Sequence, residues 1–419
     1  MSTAISSSGL SFRDWPRNTQ RESVHVWLHL HTRREIQRFQ TLFKGCFSID
    51  EHRQLIAKKS GLNSGLTEAK IVQLFRLALQ YLGDDGIESE FPDETEHYVV
   101  KLQEETVRFY QLRERIHSSQ FAKVYFALCL TTGEKKVIKK GRPGNSLNAH
   151  LIAREGKFFS QVHSQGPVWG LAAPPEARLS SNPMLIFHAY NKRDFWSIIQ
   201  ERKDQEAQRS RLYETAQLLG ALRHLSQLNL CHLDINPENI LAEMGSQGRV
   251  RLYLGDLAGV WNKTETIKQR KMGDVISSMY IPREDLDYFR LLCSEGRMDE
   301  AIELGKKMDI FSIGTLIFYN YTYASPYMFL ISNILQNEKI VHSYYPDFRR
   351  DQFGELDKRV DKELYILITK MLAKDYRERP SAEEAFRQFH DYLHRYSPEL
   401  YDELAKLYYD QQYVNVNLS

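Results

Sequence analysis

The sequence is short of residues that would staple it or anchor it. Among 419 residues there are four cysteines, Cys46, Cys129, Cys231 and Cys293, and no two form a C-x-x-C pair. That spacing suits neither a zinc site nor a disulfide framework, and it points to a reducing compartment, in the simplest case the cytoplasm. An excess of one charge is also missing, since 56 Lys and Arg stand against 54 Asp and Glu, for a formal net charge of +2. A nucleic-acid footprint or a polybasic membrane anchor would need a stronger bias, so neither partner is expected. The first twenty residues, MSTAISSSGLSFRDWPRNTQ, lack a basic n-region and an apolar h-region, which argues against an ordinary secretory signal. Their serines fit a disordered end over 1–23, or an export signal of the kind carried by bacterial proteins delivered into a host cell. One long run without charge exists, from Ile310 to Asn337, but Asn320, Pro326 and Asn333 interrupt it. It reads as a buried core helix followed by a turn at Ser325-Pro326, not as a membrane span.

What is present is ordinary globular material. Charged residues make up 26% and apolar ones 42%, with no signature of wholesale disorder. The length accommodates a two-lobed domain and an extra module of about a hundred residues. From 24 to 100 the expectation is a helical region. Its clearest stretch is Ile71, Leu74, Phe75, Ala78 and Leu82, which recur on one helix face. It reads as a small bundle that packs on the next domain and is a candidate surface for a protein partner. An acidic, proline-bearing break, GDDGIESEFPDET at 83–95, ends it. Residues from about 107 to 140 then alternate and are rich in Val, Phe and Tyr, which predicts strands, with a hairpin turn at Thr131-Thr132-Gly133-Glu134. From about 204 onward the chain reads as mostly helical, with short strands near 230–260. A sheet-rich segment followed by a helix-rich one predicts an α+β protein of two lobes over 107–395, and a C-terminal helix and tail over 396–419.

The most informative segment is Cys231-His-Leu-Asp-Ile-Asn-Pro-Glu-Asn-Ile240. A carboxylate, Asp234, lies five residues before a side-chain amide, Asn239, and seventeen residues after that amide comes a second carboxylate, Asp256, in Leu254-Gly-Asp-Leu-Ala-Gly259. An acid, an amide and another acid on neighbouring loops suit an oxygen-ligated magnesium ion beside a base for a hydroxyl group. Singly each is weak, because Asp and Asn are common turn residues. Their order gives them meaning.

That order resembles the catalytic and magnesium loops of protein kinases, H-R-D-x-x-x-x-N and D-F-G. The resemblance places Asp234 at the catalytic base, Asn239 and Asp256 at magnesium ligands, and His232 at the structural histidine. Lys136-Val-Ile-Lys139 resembles V-A-I-K, which implies that Lys139 pairs the α- and β-phosphates of ATP, with Val124 over the nucleotide and Glu155 orienting the lysine. Leu185-Ile-Phe-His-Ala-Tyr190 resembles the strand and hinge that receive adenine. Phe187 is then the gatekeeper, His188 to Tyr190 offer backbone hydrogen bonds, and Asp194 reaches the ribose hydroxyls. Asp309-Ile-Phe-Ser-Ile-Gly314 and Arg379-Pro380 resemble two anchors of the large lobe. The arginine usually pairs with a glutamate after the activation loop, for which Glu284 is the nearest match. A capping box, Ser381-Ala-Glu-Glu384, predicts a final helix with Phe386, Phe389 and Leu393 on one face.

Several positions depart from the pattern. The glycine-rich loop reads His117-Ser-Ser-Gln-Phe-Ala-Lys-Val124, with His117, Ser119 and Ala122 where glycines would let backbone amides approach phosphates. Leu233 replaces the arginine before the catalytic aspartate, and Asn236 replaces the lysine two residues after it. Losing a cation at the transferring phosphate should cost on the order of 3 kcal/mol of transition-state stabilisation. The resemblance therefore implies an ATP- and magnesium-dependent Ser/Thr protein kinase acting on protein substrates. Two alternatives remain: a pseudokinase serving as a nucleotide-binding or structural module, and transfer of another group such as a nucleotidyl unit.

Overall fold

The computed structural model describes five short strands before residue 106. It then describes 106–406, except 120, 130–132, 143–145, 165, 167, 180–183, 191–192, 196–197, 199–206, 245–249, 263–279, 323–355 and 357. Chain contacts divide the protein into two units, one of 1–153 with 175–189 and one of 154–174 with 190–419.

The first unit is built from sheets. β1 (His25–Trp27), β2 (Phe47–Ile49) and β3 (Gln54–Ala57) form a small antiparallel sheet in the order β1-β3-β2. A seven-stranded sheet follows, made of β4 (Glu88–Asp93), β5 (Glu96–Gln103), β6 (Thr106–Ser118), β7 (Ala122–Cys129), β8 (Lys135–Gly141), β9 (Ala177–Leu179) and β10 (Met184–His188), in the order β4-β5-β6-β7-β8-β10-β9. The expectation of a helical region over 24–100 differs from these strands. The stretch 88–93, with its Glu-rich start and Pro92, carries no alternation that would announce a strand; pairing with β5 supplies what local pattern does not. The helical run Ile71 to Leu82 lies outside the described residues, as does any partner surface on it.

The hairpin expected at 131–134 joins β7 to β8. Gly133 takes φ 77, and the Cys129 amide donates to the Glu134 carbonyl across the turn at 2.8 Å. One face of the sheet packs Tyr110, Ala127, Cys129, Ile138, Met184 and Ile186 together. The other carries Ala122, Leu185 and Phe187 against Ile152 of helix α1 (Ser146–Val162). Period-two alternation along each strand accounts for this division.

In the second unit, α1 runs on past Arg154 and is followed by β11 (Arg193–Asp194), α2 (Ala207–Gln227), β12 (Ile240–Met244) and β13 (Val250–Leu254). The three short strands form one antiparallel sheet in chain order. Then come α3 (Arg283–Ser294), α4 (Met298–Thr322), α5 (Lys362–Met371) and α6 (Ala382–Tyr396), with a further helical stretch at 398–406. Every residue of α4 from Met308 onward is buried, which explains why its sequence is apolar all round and free of charge after Asp309. Among the described residues no helix is long and apolar enough to cross a membrane. Two glycines let α4 come close to its neighbours. A Cβ on Gly305 would lie 2.7 Å from the Cys231 sulfur, and one on Gly314 would lie 2.9 Å from the Met371 Cβ.

At α6 the expected capping box is formed. Glu384 donates its amide to Ser381 Oγ at 3.2 Å, and the Ser381 amide donates to Glu384 Oε2 at 2.7 Å. Phe386, Phe389 and Leu393 are buried on one face, as the spacing requires.

Candidate active site

In the smaller unit, strand register aligns the residues that the sequence singled out. Val124 lies opposite Lys139, and Lys139 lies opposite Leu185, so the three form a cross-strand row on one face of the sheet. Directly opposed residues share a face, and so do residues two apart, which places Phe187 on this face as well. His188 pairs with Lys136 on the opposite face and is exposed. Lys136 itself is buried and paired, at 2.5 Å to Glu176 and 3.0 Å to Glu134. Burial presses its ammonium downward in pKa, but the two carboxylates outweigh it and the net direction is up.

The turn between β6 and β7 shows what replaces the glycines. Ser119 Oγ accepts from the amides of Phe121, at 3.2 Å, and Ala122, at 3.1 Å. Arg142 braces the tip from outside, donating Nε to the Ser119 carbonyl at 2.6 Å and Nη2 to Ser118 Oγ at 2.8 Å. Amides that a glycine-rich loop would turn to a phosphate are engaged by the loop's own hydroxyl. Serine, a turn-forming residue, does this readily.

The larger unit holds the loop from Cys231 to Ile240. Asp309, buried on α4, accepts from the amides of His232 at 2.6 Å and Leu233 at 2.8 Å. Leu233 is thereby held at φ 62, an uncommon conformation for a branched residue. Burial pushes the Asp309 carboxyl up to about 7, against the pull of those two amides. His232 links the two loops. Its Nε2 lies 2.9 Å from the Gly255 carbonyl, which can only accept, so Nε2 carries the proton and Nδ1 accepts the Asp234 amide at 3.3 Å. Burial lowers His232 to about 4, so the ring is neutral at neutral pH.

Two amides clamp the Asp234 carboxylate. Asn236 Nδ2 donates to Oδ1 at 3.1 Å and Asn239 Nδ2 donates to Oδ2 at 2.9 Å. Asn236 also caps the short turn Pro237–Asn239, accepting from the amides of Glu238 and Asn239. The residue in place of a lysine is therefore a structural brace for the carboxylate. On the adjoining loop Asp256 sits at φ 51 and accepts the Ala258 amide at 3.3 Å. Gly255 donates its amide to the Asn239 carbonyl at 2.8 Å, so the two loops also share a backbone bond.

Of the other expected residues, Glu155 is buried on α1 in the larger unit, whereas Lys139 belongs to the smaller one. Tyr190 accepts the Ala173 amide on its hydroxyl at 2.7 Å, and its ring lies 4.6 Å from that of Tyr253. Asp194 lies in β11, opposite Leu241. The partner of Arg379 is Asp285, at 2.6 Å, not Glu284, which is exposed. Pro282 precedes the first turn of α3, and Asp285, the third residue of that turn, faces inward. Residues 263–279, between the Asp256 loop and α3, lie outside the described residues.

Sequence reasoning missed Arg154. It donates Nη1 to the Ala258 carbonyl at 2.5 Å and Nη2 to the Val260 carbonyl. The available signal was an arginine on the same buried side of an apolar helix as Leu151 and Phe158.

A family model described as "Protein kinase domain" matches residues 110–393. Among relatives, Mitogen-activated protein kinase 10 of Oryza sativa subsp. japonica is 24% identical over 294 residues, covering 66% of this chain and 47% of that protein. Mitogen-activated protein kinase 7 of the same organism is 25% identical over 297 residues, covering 66% of this chain and 50% of that protein. This chain thus spans about half the length of these relatives. The match takes in most of the sheet and every helix from α1 to α5, along with both loops, and the chain belongs to the eukaryotic-type protein kinase family.

Proposed function

We propose that this kinase transfers the γ-phosphate of ATP, with magnesium, to Ser or Thr hydroxyls of protein substrates. The observation that carries the reading is the clamped Asp234 carboxylate, hydrogen-bonded on both oxygens to Asn236 and Asn239. A base held this way is presented in one orientation without reorganisation, which proton abstraction requires. Its two amide partners are neutral hydrogen-bond donors. As the new oxygen–phosphorus bond forms and the bond to ADP breaks, Asp234 takes the proton of the attacking hydroxyl. The Ser/Thr assignment rests on Pro237-Glu238-Asn239, which resembles the Ser/Thr style of this loop.

The donor set fits magnesium. With Nδ2 of Asn239 committed to Asp234, its oxygen is the group left to face a cation, and Asp256 supplies a carboxylate on the adjoining loop. Among the described residues no group of three or more His, Cys, Asp or Glu could hold a metal alone, so the remaining ligands would be waters and phosphate oxygens. Magnesium bound there would offset the charge of the phosphates. Lys139 is proposed to pair the α- and β-phosphates with Glu155 as its partner, Val124, Phe187 and the hinge from His188 to Tyr190 to receive adenine, and Asp194 to reach the ribose.

A second reading, a pseudokinase that binds partners, is favoured by one observation, the engagement of the Phe121 and Ala122 amides by Ser119. Incubation with γ-labelled ATP and magnesium, followed by mass analysis, separates the two. The wild type should label itself or a lysate protein by 80-dalton phosphate, and Asp234→Asn should lower the rate by ~10²–10⁴-fold with ATP binding nearly intact. No transfer by the wild type would leave the pseudokinase as the better account.

A further inference from the structure

Residue 258 is pinned from both sides. Asp256 Oδ1 accepts its amide at 3.3 Å, and Arg154 donates to its carbonyl at 2.5 Å. The second arm of the same guanidinium reaches the carbonyl of Val260. The next residue, Trp261, exchanges two backbone hydrogen bonds with Cys231 at the head of the catalytic loop, at 2.9 and 2.7 Å. Three anchors within four residues leave the metal loop little slack.

We propose that Arg154 is a positioning residue for metal binding, which makes the placement of Asp256 depend on helix α1. The proposal rests on the reading of Asp256 as a metal ligand. Packing alone does not explain an arginine here. The guanidinium is buried and lies 4.9 Å from the Phe158 ring centroid. A methionine would fill the same space without the cost of desolvating a charge. What arginine adds is a planar fork that reaches two carbonyls two residues apart, a geometry a lysine cannot reproduce.

The family's usual cation beside the catalytic aspartate is also missing. Leu233 instead enters an apolar cluster with Cys231, Trp261, Ile281, Leu286 and Phe289. Among the described residues of that cluster there is no charged side chain. The segment after Asp256 takes its cation from α1 instead, one residue from Glu155, the proposed partner of the nucleotide lysine. Helix α1 therefore carries groups assigned to both the phosphate and the metal side of the reaction.

Hydrogen exchange and a magnesium titration test this on Arg154→Met and Arg154→Lys. In the nucleotide-free protein, amides of Ala258 to Trp261 should exchange roughly tenfold faster in Arg154→Met, with those of α4 unchanged. The magnesium concentration giving half the thermal shift with ADP should rise by about the same factor, and Arg154→Lys should fall between. Wild-type exchange and an unchanged magnesium midpoint in both variants would overturn the proposal. If Arg154→Met does not fold, Arg154→Lys decides by the same two measurements. A wild type without any magnesium-dependent shift would overturn the metal reading and the proposal together, and that result is seen before any variant is made.

Discussion

Protonating His232 would cost the catalytic loop the acceptor that holds the Asp234 amide. In the fold the ring gains its proton only near pH 4, against an ordinary value of 6.5. Between those values the unfolded chain binds the extra proton, so stability falls as the pH drops through this window, by about 3 kcal/mol. Asp309 runs the other way. Its folded value of about 7 lies above the ordinary 3.8, so the fold holds a proton that the unfolded chain has lost, and stability falls as the pH rises between the two. The two slopes oppose each other, so this pair by itself contributes only a shallow net dependence. Asp309→Asn removes one of them. Chemical denaturation of that variant at pH 7 and pH 4.5 should reveal a steeper acid loss than in the wild type. Equal slopes in the two proteins would count against this account of the pair.

Between elements a buried ion pair, Arg379 to Asp285, ties the turn before α6 to the start of α3. The arginine side chain is fully buried, donates to the carbonyls of Ala373, Lys374 and Lys307, and lies 4.8 Å from the Phe311 ring centroid. Removing one partner strands the other charge. Arg379→Ala should therefore destabilise the protein by roughly 3–5 kcal/mol, whereas Glu284→Ala, at an exposed site, should move it by less than about 0.5 kcal/mol in urea denaturation. A large effect of Glu284→Ala would mean that the phase of α3 is wrong. The pair also shows where sequence reading stops. Arg379 could be found from the Arg-Pro step and the capping box behind it, because both are local patterns. Its partner could not, because the choice between Glu284 and Asp285 depends on where the first turn of α3 begins, and a proline at that point fits either phase. Asn236 teaches the same lesson. Its identity announced a missing cation, but its service as a clamp on Asp234 depends on a turn geometry that spacing does not encode.

Across the whole molecule, the order of motifs made the kinase domain and both loops legible, since Asp234, Asn239 and Asp256 stand at the separations that the family's motifs have along the chain. The extent of the sheet was not legible. β4 and β5 precede the region matched by the family model, yet they extend the same sheet, with His97 to Gln103 of β5 paired to Leu112 to Thr106 of β6. This pairing has a practical consequence for anyone who cuts the chain at the apparent domain start near 107. Such a fragment would lose the partner of β6 and display a row of unsatisfied N–H and C=O groups to solvent, an open rim onto which another copy can add strand by strand. A fragment beginning at 107 should sediment as a mixture of oligomers, whereas one beginning ahead of Glu88 should run as a single species. Identical behaviour of the two would show that the rim needs no cover. In the intact chain β4 and β5 would thus act as a gatekeeper against self-association, sparing the kinase sheet from becoming a template for its own copies.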